Sequence, residues 1–289
     1  KRLYAAPSEL NYRLSVFAEN YAEIEKLKSK VSHEVGLTIF ADLTKEEFAT
    51  KYLGFNGSLA EKSPKDNSIV SKFVESMPEV SAPDTFDHRT DGTSTPVKNQ
   101  RACGSCWAFA AIASFEGAFI KAGNPSTSFS EQQLVDCSTS YGNNGCQGGW
   151  MSKGLQYLED TGSMTTEDYP YMAVNQSCKS DSSKFKATLV EYYDLPSGDP
   201  FALKKAAAER IVAVAVDASS WMIYKSGIIS ASTCGSKLSH GVVVVGYGIE
   251  DGVKHWIIKN SWGAAWGENG YVRVEDTAEA GSGACGINL

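Results

Sequence analysis

The sequence predicts an α+β fold in which a helical half precedes a half built mainly of sheet. Three observations carry that expectation. An amphipathic pattern begins at Ser8, a stretch apolar almost all round ends at Gly123, and β-branched residues dominate from about Phe185 onward. The length of 289 residues suggests about two domains. A composition of 42% hydrophobic and 21% charged residues is ordinary for globular chains and argues against a largely disordered one. No run approaches the ~18 apolar residues of a spanning helix. The net charge of −7, with no Lys/Arg-rich run, offers nucleic acid no electrostatic footprint.

The elements follow in order. Lys1-Arg2-Leu3-Tyr4 leads into no apolar core, so it does not read as a secretory leader, and an exported protein is expected to have lost its leader already. Leu10, Leu14, Phe17, Tyr21, Ile24, Leu27 and Val31 recur at spacings of three and four, which predicts an amphipathic helix with Ser8 as its N-cap. A second helix is expected over Leu43–Tyr52, capped by Thr44, with Glu46 and Glu47 in its first turn. Residues 56–82 turn polar and rich in Gly, Ser and Pro, and read as a linker or extended strap at a domain boundary. Residues 1–82 carry a net charge of −1 and the remainder −6, and all seven cysteines lie in the remainder. Residues 107–122 are expected to form a helix buried in a core. Ile211–Val216, Val242–Val245, His255–Lys259 and Tyr271–Val274 read as strands between glycine-bearing turns.

Cys103-Gly104-Ser105-Cys106 stands just before the buried helix. A Cys-x-x-Cys pair there suits disulfide exchange. Alternatively both cysteines are structural staples, or one is a staple and the other a nucleophile. Seven is an odd count, so pairing leaves one thiol over. The local run Cys-Gly-Ser-Cys-Trp is a protease signature that calls for His and Asn about 130–150 residues on. His240 lies 134 residues after Cys106, in Ser239-His240-Gly241-Val242, and Asn260 lies 154 after it, in Lys259-Asn260-Ser261-Trp262-Gly263. Adjacent strands can present both side chains to the helix that bears Cys106. A thiol at a helix N-terminus beside an imidazolium is expected to ionise well below its usual range.

Together these residues resemble a papain-like cysteine protease of the cathepsin L type, as a whole zymogen. Pro96–Gln100, Cys103–Phe109, Gly145–Gly149, Gly246–Gly248 and Lys259–Gly263 match the family's blocks. Glu9, Arg13, Val16, Phe17, Asn20 and Ile24 match the spaced ERFNIN pattern of its prosegment, and Gly36, Phe40 and Asp42 a GxNxFxD-like motif. Lys28, Thr38, His88 and Arg101 depart from the usual Asn, Asn, Trp and Gly.

The resemblance implies an inhibitory prosegment over 1–82, helical over 8–52 and extended over 56–82, whose strap threads the cleft in a non-cleavable direction. It implies a mainly helical left domain over 83–193 and a β-barrel-like right domain over 194–289, with the active-site cleft between them. It implies Cys106 as nucleophile, His240 as its acid–base partner, Asn260 to orient His240, and Gln100 with the Cys106 N–H as oxyanion donors. Trp262 would cover the His240–Asn260 bond. Gly104, Gly148 and Gly149 would let a peptide backbone approach, and Trp150, Met151, Ala215 and Gly241 would line an apolar S2 pocket. The residue that closes that pocket would be number 290, past Leu289. Pairings Cys103–Cys146, Cys137–Cys178 and Cys234–Cys285 are likewise inherited, and imply a secretory route to a lysosome-like acidic vesicle or the outside. Asn56 and Asn175 open three-residue glycosylation matches. No metal or other cofactor is implied. Implied partners are polypeptide substrates, the chain's own prosegment and cystatin-type inhibitors, with the enzyme a monomer. Release of the prosegment by acid is expected, with Asp42 as the titrating group and His33 just upstream. Two other classes stay open: a catalytically silent binding or storage relative, and a Cys-x-x-Cys oxidoreductase.

Overall fold

The computed structural model describes Tyr4, residues 6–55 and residues 83–289. The strap expected over 56–82, and Asn56 with it, lies outside the described residues.

Helix α1 spans Pro7–Leu27. Pro7 occupies the first turn, where its fixed φ and missing N–H cost nothing, and the residue in the cap position is Ala6. Ser8 is therefore inside the helix and does not cap it. The face that turns inward carries Val16, Asn20 and Ile24, while Leu10, Leu14, Phe17 and Tyr21 stay 37–56% exposed. Polar anchoring chooses the face. Asn20 Nδ2 donates to the carbonyls of Ala41 and Leu43, each at 2.9 Å, and Arg13 grips Glu47 with two bonds of 2.6 and 2.8 Å. Helix α2, Lys45–Tyr52, begins at the expected cap. Thr44 Oγ1 accepts the Glu47 N–H, and the Glu47 carboxylate accepts the Thr44 N–H.

Between these helices the chain adds strand β1, Glu34–Val35, to strand β4, Tyr224–Ser226. Thr38, standing where the family's motif has Asn, donates to the Met222 carbonyl at 2.6 Å. Phe40, Leu43 and Phe48 then enter one continuous core with Trp221, Trp256, Trp262 and Trp266. Each such ring is worth about 1.5–3 kcal/mol on burial, so docking of this segment is driven mainly by apolar area.

The remaining helices are α3 (Cys106–Lys121), α4 (Glu131–Cys137), α5 (Met151–Asp160) and α6 (Pro200–Glu209). One face of α3 packs with α4 and α5 around Trp107, Ile112, Leu134 and Leu158. Its other face, through Ala110 and Ala113, meets Ile211, Val243, Val245 and Ile257 of the sheet. Small residues there bring helix and sheet close. Helix α6 interrupts the part expected to be mainly sheet; Asp199 caps it and Pro200 opens it.

The sheet holds β2 (Phe86–Asp87), β3 (Val212–Val216), β5 (Ile228–Ile229), β6 (His240–Glu250), β7 (Val253–Lys259) and β8 (Tyr271–Glu275). Its order is β2-β6-β7-β8-β5, with β3 also paired to β6. The sheet is open and does not close on itself as the barrel-like expectation had it. Two short strands, β2 and β3, share β6, and β5 ends the other side. His88, where the family has Trp, is fully buried between the Ala207 carbonyl (3.0 Å) and Asp91 (3.1 Å), tying the start of this half to α6.

Candidate active site

Cys106 is the first residue of α3 and the only free cysteine among the described residues. The other six form Cys103–Cys146, Cys137–Cys178 and Cys234–Cys285. The first of these ties the loop before Cys106 to the loop 145–149, and Gly104 N–H donates to the Cys146 carbonyl at 2.9 Å. Two cysteines three apart thus have separate fates, which removes the reversible Cys103–Cys106 pair that disulfide exchange needs.

Strand β6 begins at His240 and β7 ends at Lys259, so the antiparallel pair brings His240 and Asn260 to one end of the sheet. His240 Nε2 and Asn260 Oδ1 are 2.7 Å apart. Trp262 stacks on the His240 ring with centroids 4.6 Å apart. The Gly241 N–H lies 3.4 Å from Cys106 Sγ, which sets the start of β6 against the start of α3. His240 Nδ1 is buried and makes no hydrogen bond.

Gln100 is fully buried. Its Oε1 accepts from Ser261 Oγ at 2.7 Å, which fixes the amide so that Nε2 faces the cleft. That nitrogen donates to the Cys103 carbonyl (2.8 Å) and to the carbonyl of Tyr52, the last residue of α2 (3.1 Å). The next residues run on through the site. The Gly54 N–H acts on the Cys106 thiol, its carbonyl accepts the Gly149 N–H at 2.9 Å, and Phe55 N–H donates to the Ser239 carbonyl at 3.1 Å. A Cβ on Gly54 would stand 1.9 Å from the Gly104 oxygen, so only glycine fits. The Phe55 ring meets Trp150 at 4.7 Å.

Covered in this way, Cys106 and His240 are both fully buried. Burial pushes the thiol up to about 11, against the opposing pull of the Gly241, Gly54, Trp107 and Cys106 N–H groups. Burial also pushes His240 down to about 4, with Asn260 pulling the other way. The lowered thiol expected from sequence is therefore not the state of the covered site. Loss of water outweighs the helix N-terminus here, and the neutral pair is favoured.

The remaining expected substrate residues divide. Gly104, Gly148, Gly149 and Trp150 line the path of Gly54 and Phe55. Behind them, Gly241 packs under Met151 and Trp107, and Ala215 pairs with Gly241 across β3 and β6. Trp262 is covered by Phe40 and Phe48, edge-on at 5.2 Å each. Asn175 holds the 145–149 loop, accepting the Cys146 N–H and donating to Gln147. Sequence reasoning missed Ser261, Gly54, Phe55 and Asn143, whose Oδ1 accepts the Trp150 N–H at 2.8 Å. Only Ser261, next to Asn260, had a local signal. Among the described residues, no three His, Cys, Asp or Glu side chains gather as a metal site, and no helix is long and apolar enough to cross a membrane.

Comparison with known proteins agrees with this geometry. Residues 82–289 match the papain family cysteine protease domain, and residues 1–48 the cathepsin propeptide inhibitor domain. A probable cysteine protease of Arabidopsis thaliana, RD21C, is 41% identical over all of this chain, which spans 64% of that relative's length. Cathepsin L of Sarcophaga peregrina is 39% identical over 99% of this chain and 87% of its own. Digestive procathepsin L 3 of Tenebrio molitor larval midgut superposes with a TM-score of 0.83 at 37% identity, covering 99% of this chain and 92% of that one.

Proposed function

The chain belongs to the papain family of cysteine proteases, as a cathepsin L-type zymogen with a propeptide inhibitor domain, and from that premise we propose that Cys106, His240, Asn260 and Gln100 carry peptide-bond cleavage. The observation behind this reading is the convergence of the one free thiol, the His240–Asn260 pair and the Gln100 amide at the start of α3.

With the cleft open to water, Cys106 gives its proton to His240 Nδ1, and the resulting ion pair is supported by the first-turn N–H groups of α3. The thiolate attacks the peptide carbonyl carbon. The oxygen takes the negative charge and receives hydrogen bonds from Gln100 Nε2 and the Cys106 N–H. His240 then protonates the leaving amine as the C–N bond breaks, and water, deprotonated by His240, hydrolyses the thioester. Asn260 holds the ring in the tautomer this needs. Trp150 and Met151 favour an apolar or aromatic P2 side chain, and Gly148 and Gly149 hold the substrate backbone.

The prosegment blocks this chemistry by occupying the site in reverse. A substrate meets the Trp150 pocket first and the oxyanion donors after it. Here Tyr52 reaches Gln100 first, and Phe55, further along the chain, reaches Trp150 after it. No scissile carbonyl is therefore aligned with the thiol. We further propose that acid releases this segment, and that the mature enzyme is a monomer of acidic vesicles or the extracellular space, open to cystatin-type inhibitors. The Asp42 carboxylate accepts from the Tyr4 hydroxyl and its charge acts on nearby Arg13, so protonating it weakens both ties within the segment.

The test incubates parent, Cys106→Ala and Asp42→Asn zymogens across pH 4–7. The parent should shorten by about 82 residues, bind one E-64 and cleave peptidyl amides, while Cys106→Ala does none of these. Failure of the shortened parent to bind E-64 would identify a silent relative. An Asp42→Asn zymogen that converts with the parent's pH dependence would remove Asp42 from the trigger.

A further inference from the structure

Tyr171 joins two parts of the site that the chemistry uses separately. Its hydroxyl donates to the backbone carbonyl of Gln100 at 2.8 Å and lies 2.6 Å from Ser105 Oγ. The phenol has one proton and Gln100 takes it, so Ser105 donates to the phenol oxygen. The ring stands edge-on to Phe109, with centroids 4.8 Å apart.

Ser105 occupies the N-cap position of α3, where a serine hydroxyl ordinarily accepts a first-turn N–H. Here it makes no such bond. The Ser105 carbonyl already takes the N–H groups of Ala108 and Phe109. A hydroxyl that swung back would therefore find the N–H of Trp107. That group and the Cys106 N–H instead face the thiol, where the thiolate and the oxyanion need them.

The other end of the clamp holds a strained loop. Arg101 follows Gln100 with a φ of 53°, a left-handed conformation that a non-glycine residue keeps only where its surroundings fix it. From the sheet side, Gln100 N–H donates to the Ser261 carbonyl, and Arg101 N–H donates to Asn99 Oδ1. Tyr171 supplies the tie from the helical side. Burial pushes its phenol well above the usual range against the pull of the Ser105 hydrogen bond, with Glu131 and Cys106 raising it further and Arg101 lowering it, so the hydroxyl remains a donor wherever the enzyme works.

We propose that Tyr171 is a positioning residue of the oxyanion site, pinning the Gln100 backbone while drawing the Ser105 hydroxyl away from the first-turn amides of α3. The proposal rests on the assignment of Cys106 and Gln100 made above. It acts through two neighbours and touches no substrate.

The experiment uses the activated enzyme and Tyr171→Phe, which keeps the ring and its contact with Phe109. E-64 titration comes first. A parent that does not bind E-64 ends the nucleophile assignment and leaves Tyr171 nothing to position. In titrated Tyr171→Phe, kcat on a peptidyl amide should fall about tenfold with KM within about twofold, the pattern of a weakened transition-state contact. The acid limb of Cys106 alkylation by iodoacetamide should move up by roughly half a pH unit, because a first-turn amide is diverted from the thiolate. Adding Ser105→Ala should return that limb to the parent's position, since no hydroxyl is left to swing back. A kcat within about twofold of the parent overturns the proposal, and so does an upward shift that persists in the double variant. Should Tyr171→Phe not fold, Ser105→Ala alone decides: it keeps the parent's acid limb and kcat within about threefold, and a tenfold loss overturns the clamp.

Discussion

The atom that matters most to latency is one Gly54 lacks. Its missing Cβ lets the chain lie 2.9 Å from the Gly149 N–H and against the Gly104 carbonyl, directly over the thiol. A methyl group there meets backbone on the opposite side, which cannot give way as a flexible side chain could. Gly54→Ala should cost the docked segment about 2 kcal/mol, and so raise the rate of E-64 labelling of the intact zymogen at pH 7 roughly 30-fold. The rate is read by mass spectrometry before any shortening, and an unchanged rate would refute the fit. Of the site's residues, Cys106 was legible because six of seven cysteines pair and one local run marks the other. His240 and Asn260 were legible by spacing. Gly54 was not, because a glycine in a loop looks the same whether it turns a corner or admits a neighbour.

Among elements, the α1–α2 pair shows how polar anchors set a helix face. Apolar spacing placed Leu10, Leu14, Phe17 and Tyr21 inward, and the structure turns them outward. Asn20 and Arg13 find partners more than twenty residues away, and burying those bonds decides the rotation. Glu47 serves twice, closing the α2 cap and receiving Arg13, which holds its carboxyl down to about 2. A carboxyl lowered on folding stabilises fully above its ordinary pKa, and that gain declines progressively below it and is gone once pH has fallen through about 2. Most of that gain therefore remains at pH 4.5, so the Arg13–Glu47 pair makes a poor acid trigger. Glu47→Gln should keep the cap but destabilise the zymogen by about 1–3 kcal/mol at pH 7 and pH 4.5 alike. A loss seen at pH 7 alone, in thermal melts of the intact zymogen, would contradict this.

At the scale of the whole molecule, prosegment and protease share one aromatic core, and His33 lies at their seam. It is 6% exposed, its Nδ1 lacks a partner, and the Tyr224 ring stands 5.9 Å away. Burial lowers its pKa. A histidine lowered on docking favours the docked state above about pH 6.5, and that advantage shrinks as pH falls and the ring must be charged without water. His33→Leu, which has nothing to protonate, should move the pH midpoint of zymogen conversion downward and leave pH 7 latency intact. A midpoint equal to the parent's would exclude His33 as a contributor.

Local chemistry determined a good deal of this protein by itself. It marked Cys106 as the proposed nucleophile by an unpaired count and a motif, His240 and Asn260 as its proposed partners by spacing, the α2 cap by Thr44 and Glu47, and the strands by β-branched runs. These signals are carried by neighbouring residues, or by identities that few other chemistries require. The tertiary structure decided the rest: which face of α1 turns inward, that the sheet stays open, that the Gln100 amide is oriented by Ser261 and filled by the Tyr52 carbonyl, and that burial keeps the thiol and imidazole neutral while the site is covered. Those outcomes depend on hydrogen bonds and desolvation between segments as much as 184 residues apart, and no local pattern records which partner such groups will find.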